Sequence, residues 1–460
     1  MNCYNLTLKA PAASAAFIVA VAAIYAVSCT RSCMAARLVE VHIEHQASGG
    51  VACLKSAKLD IVIPDSACPA QRRNSQYNRL GQAAARQDQT ESITAMKPLR
   101  ILHSESSNGW GGQEHRTFKE MLALRERGHT LELVCVPGAR LGERLGAEGF
   151  TIHTTPMRSG MDVSAVARIR QLLKERRFDV LNTHSGRDSL LGGAAARLAG
   201  TPLIVRTRHL ALAITSRATY TWLPHKVVAV SQSVRRYLVS EGVPENDVVT
   251  IYTGIAKPPS VSRAASTLRA ELGLGENAVI AGTVAILRDK KGHADLIRIA
   301  KPLIQQRPNL HFVFAGDGPL FDEIRASVQD NGLADHIHML GLRRDIPNVL
   351  AGFDLFVLPT HQEALGTSFI EAMAAGLPVI GTAVDGVPEV IDDGVNGLLV
   401  PAHDDRALAA ALLRLADAPD DRRRMGDAGL RITQTRFSVD TMANEMAAFY
   451  VSSLSERGLA

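Results

Sequence analysis

The feature that most constrains the fold is a regular alternation of strand and helix patterns that begins near residue 96. Short apolar runs rich in β-branched residues are followed by amphipathic stretches of about 10–18 residues, and the cycle repeats to the end of the chain. Strands separated by helices predict parallel sheets with helices on both faces, which is an α/β fold. In such sheets ligands bind beyond the carboxyl ends of the strands, so functional side chains are expected on strand-to-helix loops.

The alternation is interrupted once, at 257–270, by a segment containing Pro and Ser that is typical of a linker. We therefore predict two Rossmann-like domains facing a cleft, one at 96–256 and one at 271–436. An amphipathic helix is expected within the final segment, 437–460, where it can pack back on the first domain.

Residues 1–95 differ in character from the rest of the chain. Residues 10–30 are uncharged and apolar, as in a signal peptide or a weak membrane anchor, and the stretch from there to residue 95 is expected to be disordered. Our hypothesis is that Met96 is the biological start and that 1–95 is a mis-called extension. The alternatives are a real N-terminal anchor with a linker, and export of the whole chain. Intact-mass measurement of natively expressed protein distinguishes the three.

The net charge of +5 does not indicate a nucleic-acid partner. Residues 1–95 hold 9 Lys/Arg and 6 Asp/Glu, whereas the rest of the chain holds 42 and 40 and is nearly neutral. It has no basic stripe and no aromatic platform of the kind that binds nucleic acids. Five of the 6 cysteines also precede residue 96. Because Cys135 has no partner in the two domains, we expect these domains to be reduced and cytoplasmic.

The strongest chemical signal is the segment Thr360-His-Gln-Glu-Ala-Leu-Gly-Thr-Ser-Phe-Ile-Glu, which follows an apolar run. Gly366 lets backbone N–H groups approach a ligand closely. Thr367 or Ser368 can cap the helix that follows, and free N–H groups at a helix start favour an anion such as a diphosphate.

Two carboxylates flank this turn. Glu371 lies about one helical turn into the helix, where it can accept hydrogen bonds from a ribose diol. Glu363 lies nearer the loop tip and can hold sugar hydroxyls. The alternative is that both only stabilise the helix start through its dipole.

At this segment the sequence resembles the retaining glycosyltransferases of family 4, which have the GT-B fold. The pair Glu363 and Glu371, separated by seven residues, matches the hallmark of that family, and the resemblance extends over about residues 98–454. It includes the segments Phe314-Ala-Gly-Asp-Gly-Pro-Leu, Leu340-Gly-Leu-Arg-Arg-Asp-Ile-Pro and Gly386-Val-Pro-Glu-Val-Ile-Asp-Asp-Gly-Val-Asn-Gly. The resemblance implies that the second domain binds a nucleotide-sugar donor. It also adds residues to the donor side: Asp317, Gly318 and Arg343.

Basic residues at the start of the second domain match a further feature of the family. The loop Gly282-Thr-Val-Ala-Ile-Leu-Arg-Asp-Lys-Lys-Gly can neutralise the charge that develops on a leaving nucleoside diphosphate. The resemblance points to an Arg/Lys pair that includes Lys291. The usual Arg position is occupied here by Ile286, and we expect Arg288 to take over the role. The alternative is an ordinary basic helix start.

In the first domain, the resemblance implies that a Gly-Gly-x-Glu segment at Gly111, Gly112 and Glu114 faces the acceptor. Without the resemblance, the alternative interpretation of this segment is a plain tight turn. Two histidines also end strands of this domain. The resemblance implies that His209 contacts donor sugar and acceptor and is catalytic together with Arg288, Lys291 and Glu363. His184 is assigned to the acceptor side, with a structural role as the alternative.

The function implied by the resemblance is transfer of a sugar from a nucleotide-sugar to an acceptor hydroxyl, with retention at the anomeric carbon. No metal or other cofactor is expected. The expected partners are the donor, a glycan or lipid-linked acceptor, and a peripheral contact with the inner face of the cytoplasmic membrane. Family association favours assembly of cell-surface polysaccharide or lipopolysaccharide. Two alternatives are a nucleotide-sugar epimerase of the same fold and a catalytically silent scaffold. An epimerase would change the sugar when incubated with nucleotide-sugar alone. Substitution of Glu363 by Ala should abolish turnover, and unchanged product formation would refute the site.

Overall fold

A computed structural model describes residues 39–48, 51–61, 97–257 and 261–459. The chain divides into two units, Met1–Thr94 and Ala95–Ala460. The apolar segment expected at 10–30 lies outside the described residues. In the parts of the chain that are described, no helix combines the length and apolar character needed to cross a membrane.

The first unit contains an antiparallel hairpin of β1 (Val39–Ser48) and β2 (Val51–Ile61). This hairpin departs from the disorder expected for the stretch after residue 30. Its first strand alternates apolar and polar residues, Val-Glu-Val-His-Ile-Glu-His, and the sequence between the strands is Gly-Gly, which is a typical hairpin pattern.

The second unit begins with a wholly parallel sheet. Its strands are β3 (Arg100–Glu105), β4 (Thr130–Cys135), β5 (Thr151–Thr154), β6 (Val180–Thr183), β7 (Leu203–Arg208), β8 (Lys226–Ala229) and β9 (Val248–Thr250). Their order across the sheet is β5-β4-β3-β6-β7-β8-β9. Because the chain winds outward in both directions from the middle, the strand order reverses between β3 and β6, and ligands bind at such a reversal.

Helices cover the faces of this first sheet. They are α1 (Gly112–Glu126), α2 (Arg140–Ala147), α3 (Val163–Arg176), α4 (Gly186–Ala199), α5 (Ala218–Thr221) and α6 (Gln232–Ser240). The inner strands are almost continuously buried, as expected for a parallel sheet covered on both sides, whereas the edge strands β5 and β9 are partly exposed.

A second parallel sheet follows the linker. Its strands are β10 (Val279–Val284), β11 (Leu310–Ala315), β12 (Ile337–Gly341), β13 (Leu355–Leu358), β14 (Val379–Thr382) and β15 (Gly397–Val400), in the order β12-β11-β10-β13-β14-β15. The helices of this region are α7 (Leu268–Glu271), α8 (His293–Gln306), α9 (Phe321–Asp330), α10 (Ile346–Ala351), α11 (Thr367–Ala374), α12 (Asp405–Asp417) and α13 (Pro419–Arg436). The prediction of two parallel α/β domains is therefore confirmed.

The last helix, α14 (Val439–Glu456), packs on the first domain rather than on the second. The chain returns at Ile255, whose backbone pairs with Phe437 and Val439 on either side of Ser438. Tyr450 lies fully buried in the first core, where its hydroxyl accepts a hydrogen bond from Asn182 Nδ2 at 2.9 Å. The helix thus ties the two domains together through apolar burial and a buried polar contact.

Candidate functional site

The loops after β10 and β13, two neighbouring strands of the second sheet, are bound to each other at its carboxyl edge. The carbonyl oxygen of Lys290 accepts hydrogen bonds from the backbone N–H of His361 at 2.7 Å and from Thr360 Oγ1 at 2.9 Å. Gly292 has a positive φ of 71°, and a Cβ there would collide with the carbonyl oxygen of Pro359. Glycine is therefore needed at this position for the two loops to meet.

This contact brings together two residues predicted to be catalytic. The Nζ of Lys291 forms an ion pair with Glu363 Oε2, and the two side chains are 16% and 18% exposed. Asp385 Oδ2 accepts a hydrogen bond from the backbone N–H of Glu363 at 2.9 Å, which fixes the loop from the other side. A half-buried cation and carboxylate thus lie together where a ligand can reach both.

Helix α11 begins beside this pair. Gly366 is its N-cap residue with φ of 94°, and no side chain caps the helix, so the expectation that Thr367 or Ser368 is the cap was wrong. The turn needs a left-handed residue, which glycine supplies at no steric cost. The backbone N–H groups of Thr367 and Ser368 have no acceptor among the described residues, whereas that of Phe369 donates to Gly366. Free N–H groups at a helix start attract anions.

Glu371 lies on the same helix and close to the first domain. Burial raises the pKa of its carboxyl, and the positive charge of Lys119 on α1 counteracts this shift. Burial likewise lowers the pKa of Lys119, and Glu371 opposes that change. Sequence reasoning did not identify Lys119, because no local pattern relates two residues 252 positions apart.

The loop that carries Arg288 rests on the predicted donor-side turn after β11. The backbone N–H of Leu287 donates to the carbonyl oxygen of Asp317 at 3.0 Å, and a Cβ on Gly318 would collide with the Leu287 carbonyl oxygen. The guanidinium of Arg288 is exposed, and within the described chain it makes no hydrogen bond or ion pair. It is therefore available to a ligand at the same edge as Lys291.

Arg343 is not brought together with the other predicted donor residues. Its guanidinium is bound by Asp345 at 2.6 Å and by Glu271 at 2.7 Å. These hydrogen bonds raise the pKa of the Arg343 guanidinium above its usual value. A guanidinium that is held by two carboxylates has little capacity left for a diphosphate.

In the first domain, the predicted acceptor-side glycines begin α1. Gly111 is the N-cap residue, and its backbone N–H donates to Glu114 Oε2 at 2.7 Å. Glu114 is buried, whereas Gly112 is exposed. The neighbouring Gln113 donates from its side chain to Glu105 Oε2 at 2.6 Å, which fixes the loop above β3.

The two predicted histidines are joined to a third that the sequence reasoning missed. His184 Nδ1 lies 3.1 Å from His209 Nε2, and His184 Nε2 lies 2.9 Å from His103 Nδ1. His184 and His209 directly follow the neighbouring strands β6 and β7, and His103 lies in the last half of β3, which is next to β6. In the sequence His103 is a lone histidine in an apolar run, so no local motif marks it. The one signal that could have grouped the three histidines is that neighbouring parallel strands end at the same edge of a sheet.

The two domains meet beside these residues. Gln362 Nε2 donates to the carbonyl oxygen of Ala211 at 3.1 Å, so the Glu363 loop contacts the loop that follows His209. Ala364 also packs against a cluster of buried apolar residues in the first domain. The catalytic candidates of both domains therefore border one cleft.

A cluster of Asp295, His361 and His403 lies behind the Glu363 loop, with ligand-type atoms within 4.8 Å of one another. Both carboxylate oxygens of Asp295 are already engaged, one by Arg298 and one by His361, each at 2.6 Å. A guanidinium on one oxygen disfavours a second cation at the same carboxylate. We therefore interpret this cluster as a set of hydrogen bonds that supports the Glu363 loop.

Comparison with known proteins agrees with this geometry. Glycosyltransferase Family 4 matches residues 110–256, and Glycosyl transferases group 1 matches residues 265–431. The chain is 27% identical over 345 residues to the UDP-Gal:alpha-D-GlcNAc-diphosphoundecaprenol alpha-1,3-galactosyltransferase of Escherichia coli, covering 69% of this chain and 88% of that protein.

Two solved structures share the fold. Anabaena HepE in complex with UDP has a TM-score of 0.70 at 22% identity, covering 77% of this chain and 100% of that one. A glycosyltransferase from Rickettsia africae has a TM-score of 0.72 at 20% identity, covering 78% and 99%.

Two Rossmann-like domains whose strand-end loops meet in one cleft define a GT-B enzyme that acts on a nucleotide-sugar. The matched families together cover more than half of the chain, with one in each domain. This chain belongs to the glycosyltransferases of family 4. The predictions of the family, the fold and glycosyltransferase activity are thus confirmed, and the roles of individual residues stay predictions.

Proposed function

We propose that this chain moves a sugar from a UDP-sugar to a hydroxyl of a lipid-diphosphate-linked glycan, with retention at the anomeric carbon, during assembly of a cell-surface polysaccharide or lipopolysaccharide. The observation that carries the proposal is the Lys291–Glu363 ion pair, which lies beside the free N–H groups of α11 and borders the His209 loop. The name of the Escherichia coli relative supports UDP as the nucleotide of the donor and a lipid diphosphate as the carrier of the acceptor. The complex of Anabaena HepE with UDP also supports uracil as the base of the donor.

On the donor side, negative charge develops on the leaving diphosphate as the bond to the anomeric carbon breaks. Lys291, Arg288 and the N–H groups at the start of α11 neutralise that charge at the carboxyl edge of the second sheet. When the diphosphate engages Lys291, Glu363 becomes free to accept hydrogen bonds from sugar hydroxyls. Glu371 accepts hydrogen bonds from the ribose diol.

No protein nucleophile takes part in this reaction. The acceptor hydroxyl attacks the anomeric carbon from the face that the diphosphate leaves, its proton passes to a diphosphate oxygen, and the new glycosidic bond keeps the original configuration. Gly111, Gly112 and His209 border the acceptor side of the cleft. Domain closure excludes water, which suppresses hydrolysis of the donor. No metal ion or other cofactor is required.

A lipid-linked acceptor calls for a surface that meets the membrane. Leu210 and Leu212 in the loop after β7 are 44% and 46% exposed, and Trp222 is 76% exposed. The side chain of Arg217 is also exposed. Exposed Trp and Leu beside a cation suit the interface of an anionic bilayer. We propose a peripheral contact here with the cytoplasmic leaflet.

The membrane contact is tested by co-sedimentation. We expect binding to phosphatidylglycerol vesicles that weakens in Trp222→Ala and is absent with phosphatidylcholine vesicles. Val163→Ala, another exposed apolar position on the first domain, is the matched control. Equal binding of Trp222→Ala and the wild type would contradict this surface.

The donor is tested with the purified chain and a panel of nucleotides. We expect UDP to raise the melting temperature more than GDP or ADP, and UDP-galactose to be consumed only with release of UDP. EDTA should leave turnover unchanged. A chain that changes the sugar without releasing UDP is an epimerase, and a chain that binds no nucleotide would refute the proposal.

A further inference from the structure

Three histidine rings form a continuous hydrogen-bonded chain from the core of the first domain to the cleft. His103, His184 and His209 are 0%, 3% and 9% exposed, and they are linked Nδ1 to Nε2 at 2.9 Å and 3.1 Å. Within the described residues, two ring nitrogens have no protein partner. These are His103 Nε2 at the inner end, which is fully enclosed, and His209 Nδ1 at the outer end, whose ring contacts His184 through its other nitrogen, Nε2.

The rings of this chain are neutral. Each link joins one nitrogen of one ring to one nitrogen of the next, so each link needs one donor and one acceptor. A protonated ring would place a full charge inside this buried chain, which desolvation disfavours. Burial lowers the pKa of His103 to about 3, and it lowers the pKa values of His184 and His209 well below the usual value, with the neighbouring rings and Arg116 adding to these shifts.

Neutral rings can be arranged in only two ways. Either every proton points toward the cleft, so that His209 carries Nδ1–H, or every proton points inward, so that His103 carries Nε2–H. The second arrangement leaves a buried N–H with no acceptor, because nothing lies within hydrogen-bonding distance of His103 Nε2. Orphaned buried N–H groups are rarer in native proteins than under-satisfied acceptors. The first arrangement is therefore favoured.

The middle ring is also held in place by its backbone. The N–H of His184 donates to Asp188 Oδ2 at 2.8 Å, and Ser106 Oγ lies 3.2 Å from the other oxygen of the same carboxylate. The rings of His103 and His184 meet edge to edge, with an angle of 6° between their planes. A ring that is fixed on both sides can set the orientation of the next one.

We propose that His103 and His184 are positioning residues that hold His209 in its Nδ1–H tautomer, so that His209 donates a hydrogen bond to a hydroxyl oxygen of the bound donor sugar or acceptor. This assigns His209 the role of a hydrogen-bond donor rather than that of a general base. The ligand part of the inference rests on the proposed function, whereas the proton arrangement does not.

The proton arrangement is tested by NMR of protein with 15N-labelled histidine rings, with the His209 signals assigned from their loss in His209→Gln. We expect a protonated Nδ1 and an unprotonated Nε2 at His209 in the wild type. In His103→Asn the side-chain amide can still donate to His184, so the same signals are expected. In His103→Asp the ionised side chain can only accept, so His184 must donate from Nε2 and accept at Nδ1, and we expect the His209 proton to move to Nε2.

Kinetics test the consequence for the reaction. For turnover of UDP-galactose, by hydrolysis or by transfer, His103→Asp should lower kcat by about tenfold or more with KM changed by less than about twofold, as for other residues that orient a catalytic group, whereas His103→Asn should keep most of the activity. A loss already present in hydrolysis means that the hydroxyl belongs to the donor sugar. A loss confined to transfer onto a GlcNAc-diphospholipid means that it belongs to the acceptor.

The matched control is His311→Asp, which makes the same change in another hydrogen-bonded histidine pair, His311 and His338, near the amino ends of β11 and β12. Its kcat should equal that of the wild type. An unprotonated His209 Nδ1 in the wild type would overturn the inference, and so would a His103→Asp variant with unchanged signals and kcat. A wild type that neither binds nor hydrolyses UDP-sugars would instead refute the proposed function, while the NMR result would still decide the proton arrangement.

Discussion

At the scale of single residues, the Lys291–Glu363 pair shows how two loops far apart in sequence produce one chemical group. Removing Lys291 eliminates a cation that faces the diphosphate and leaves Glu363 half-buried without its partner. We expect Lys291→Met to lower kcat for UDP-sugar turnover by about 100-fold or more, because charge stabilisation at the reacting centre contributes that much in comparable sites. Steady-state kinetics with UDP-galactose measure the effect.

The neighbouring lysine provides the control for that experiment. The side chain of Lys290 makes no hydrogen bond or ion pair among the described residues, and only its carbonyl group supports the site. Lys290→Met should therefore keep kcat within about threefold of the wild type, as is usual for surface substitutions that break no contact. Equal losses of kcat in Lys291→Met and Lys290→Met would show that turnover depends on the positive charge of this loop as a whole rather than on the Lys291–Glu363 ion pair.

The buried histidines also predict a dependence of stability on pH. The pKa of His103 is about 3 in the folded protein because of burial, against about 6.5 in an unfolded chain. Below pH 6.5 the unfolded state binds a proton that the folded state does not bind. The stabilisation is therefore complete above pH 6.5 and is lost as the pH falls toward 3.

Urea unfolding at pH 7.5 and pH 5.5 measures this loss. Between these values His103 alone should cost about 1.4 kcal/mol of unfolding free energy. In His103→Asn the decrease should be smaller by that amount, while the contributions of the other histidines cancel in the comparison. An identical decrease in both proteins would mean that His103 is protonated in the folded state.

At the scale of secondary structure, the two parallel sheets could be predicted from the sequence, whereas the contacts between distant loops could not. The mainly apolar run at 310–315, which follows Pro308-Asn309 and precedes Gly316, forms β11 over its whole length. The apolar run that contains β10 continues to Leu287, but the strand ends at Val284, because the backbone N–H groups of the next residues bond the end of β11 and the loop after it. Long-range contacts, such as that of Arg343 with Glu271, have no local signature.

Helix α14 shows how one element far along the chain completes the first core. Arg116 is fully buried, where it donates to the carbonyl oxygen of Ile251 at 2.9 Å and lies 3.5 Å from Glu120. Tyr450 brings its hydroxyl to Asn182 and to Glu120, the latter at 3.4 Å. A buried polar network of this kind stabilises only if all its members are satisfied.

Tyr450→Phe removes one hydroxyl from this network and keeps the ring in the core. We expect the unfolding free energy to fall by about 1–3 kcal/mol, because Asn182 and Glu120 lose a partner without gaining water. Urea unfolding measures the change, and Ser455→Ala, at an exposed position of the same helix, should change it by less than about 0.5 kcal/mol. A Tyr450→Phe variant as stable as the wild type would show that water satisfies the network.

At the scale of the whole molecule, the closed arrangement is held by a carboxylate that crosses between domains. Glu389 follows β14 in the second domain, and its oxygens accept hydrogen bonds from the backbone N–H groups of Gln232 and Ser233, both at 2.7 Å. These groups begin helix α6 of the first domain and have no partner within the helix. Ser231 caps the same helix by accepting from Val234. A negative charge at a helix start is stabilising, so this contact favours closure.

Removing that carboxylate should shift the molecule toward an open cleft. A cap of this kind contributes about 0.5–2 kcal/mol, which would change the ratio of closed to open molecules by roughly 2- to 30-fold. We expect Glu389→Ala to show a larger radius of gyration by small-angle X-ray scattering and a raised KM for the UDP-sugar. Saturating UDP should restore the compact form, because a ligand that bridges the domains favours closure.

Glu245→Ala removes an exposed carboxylate near the same helix, paired with Arg235, and should leave both measurements unchanged. If Glu389→Ala matches the wild type in scattering and in KM, closure depends instead on the apolar contact at Ala364 and on the chain crossing at Ile255.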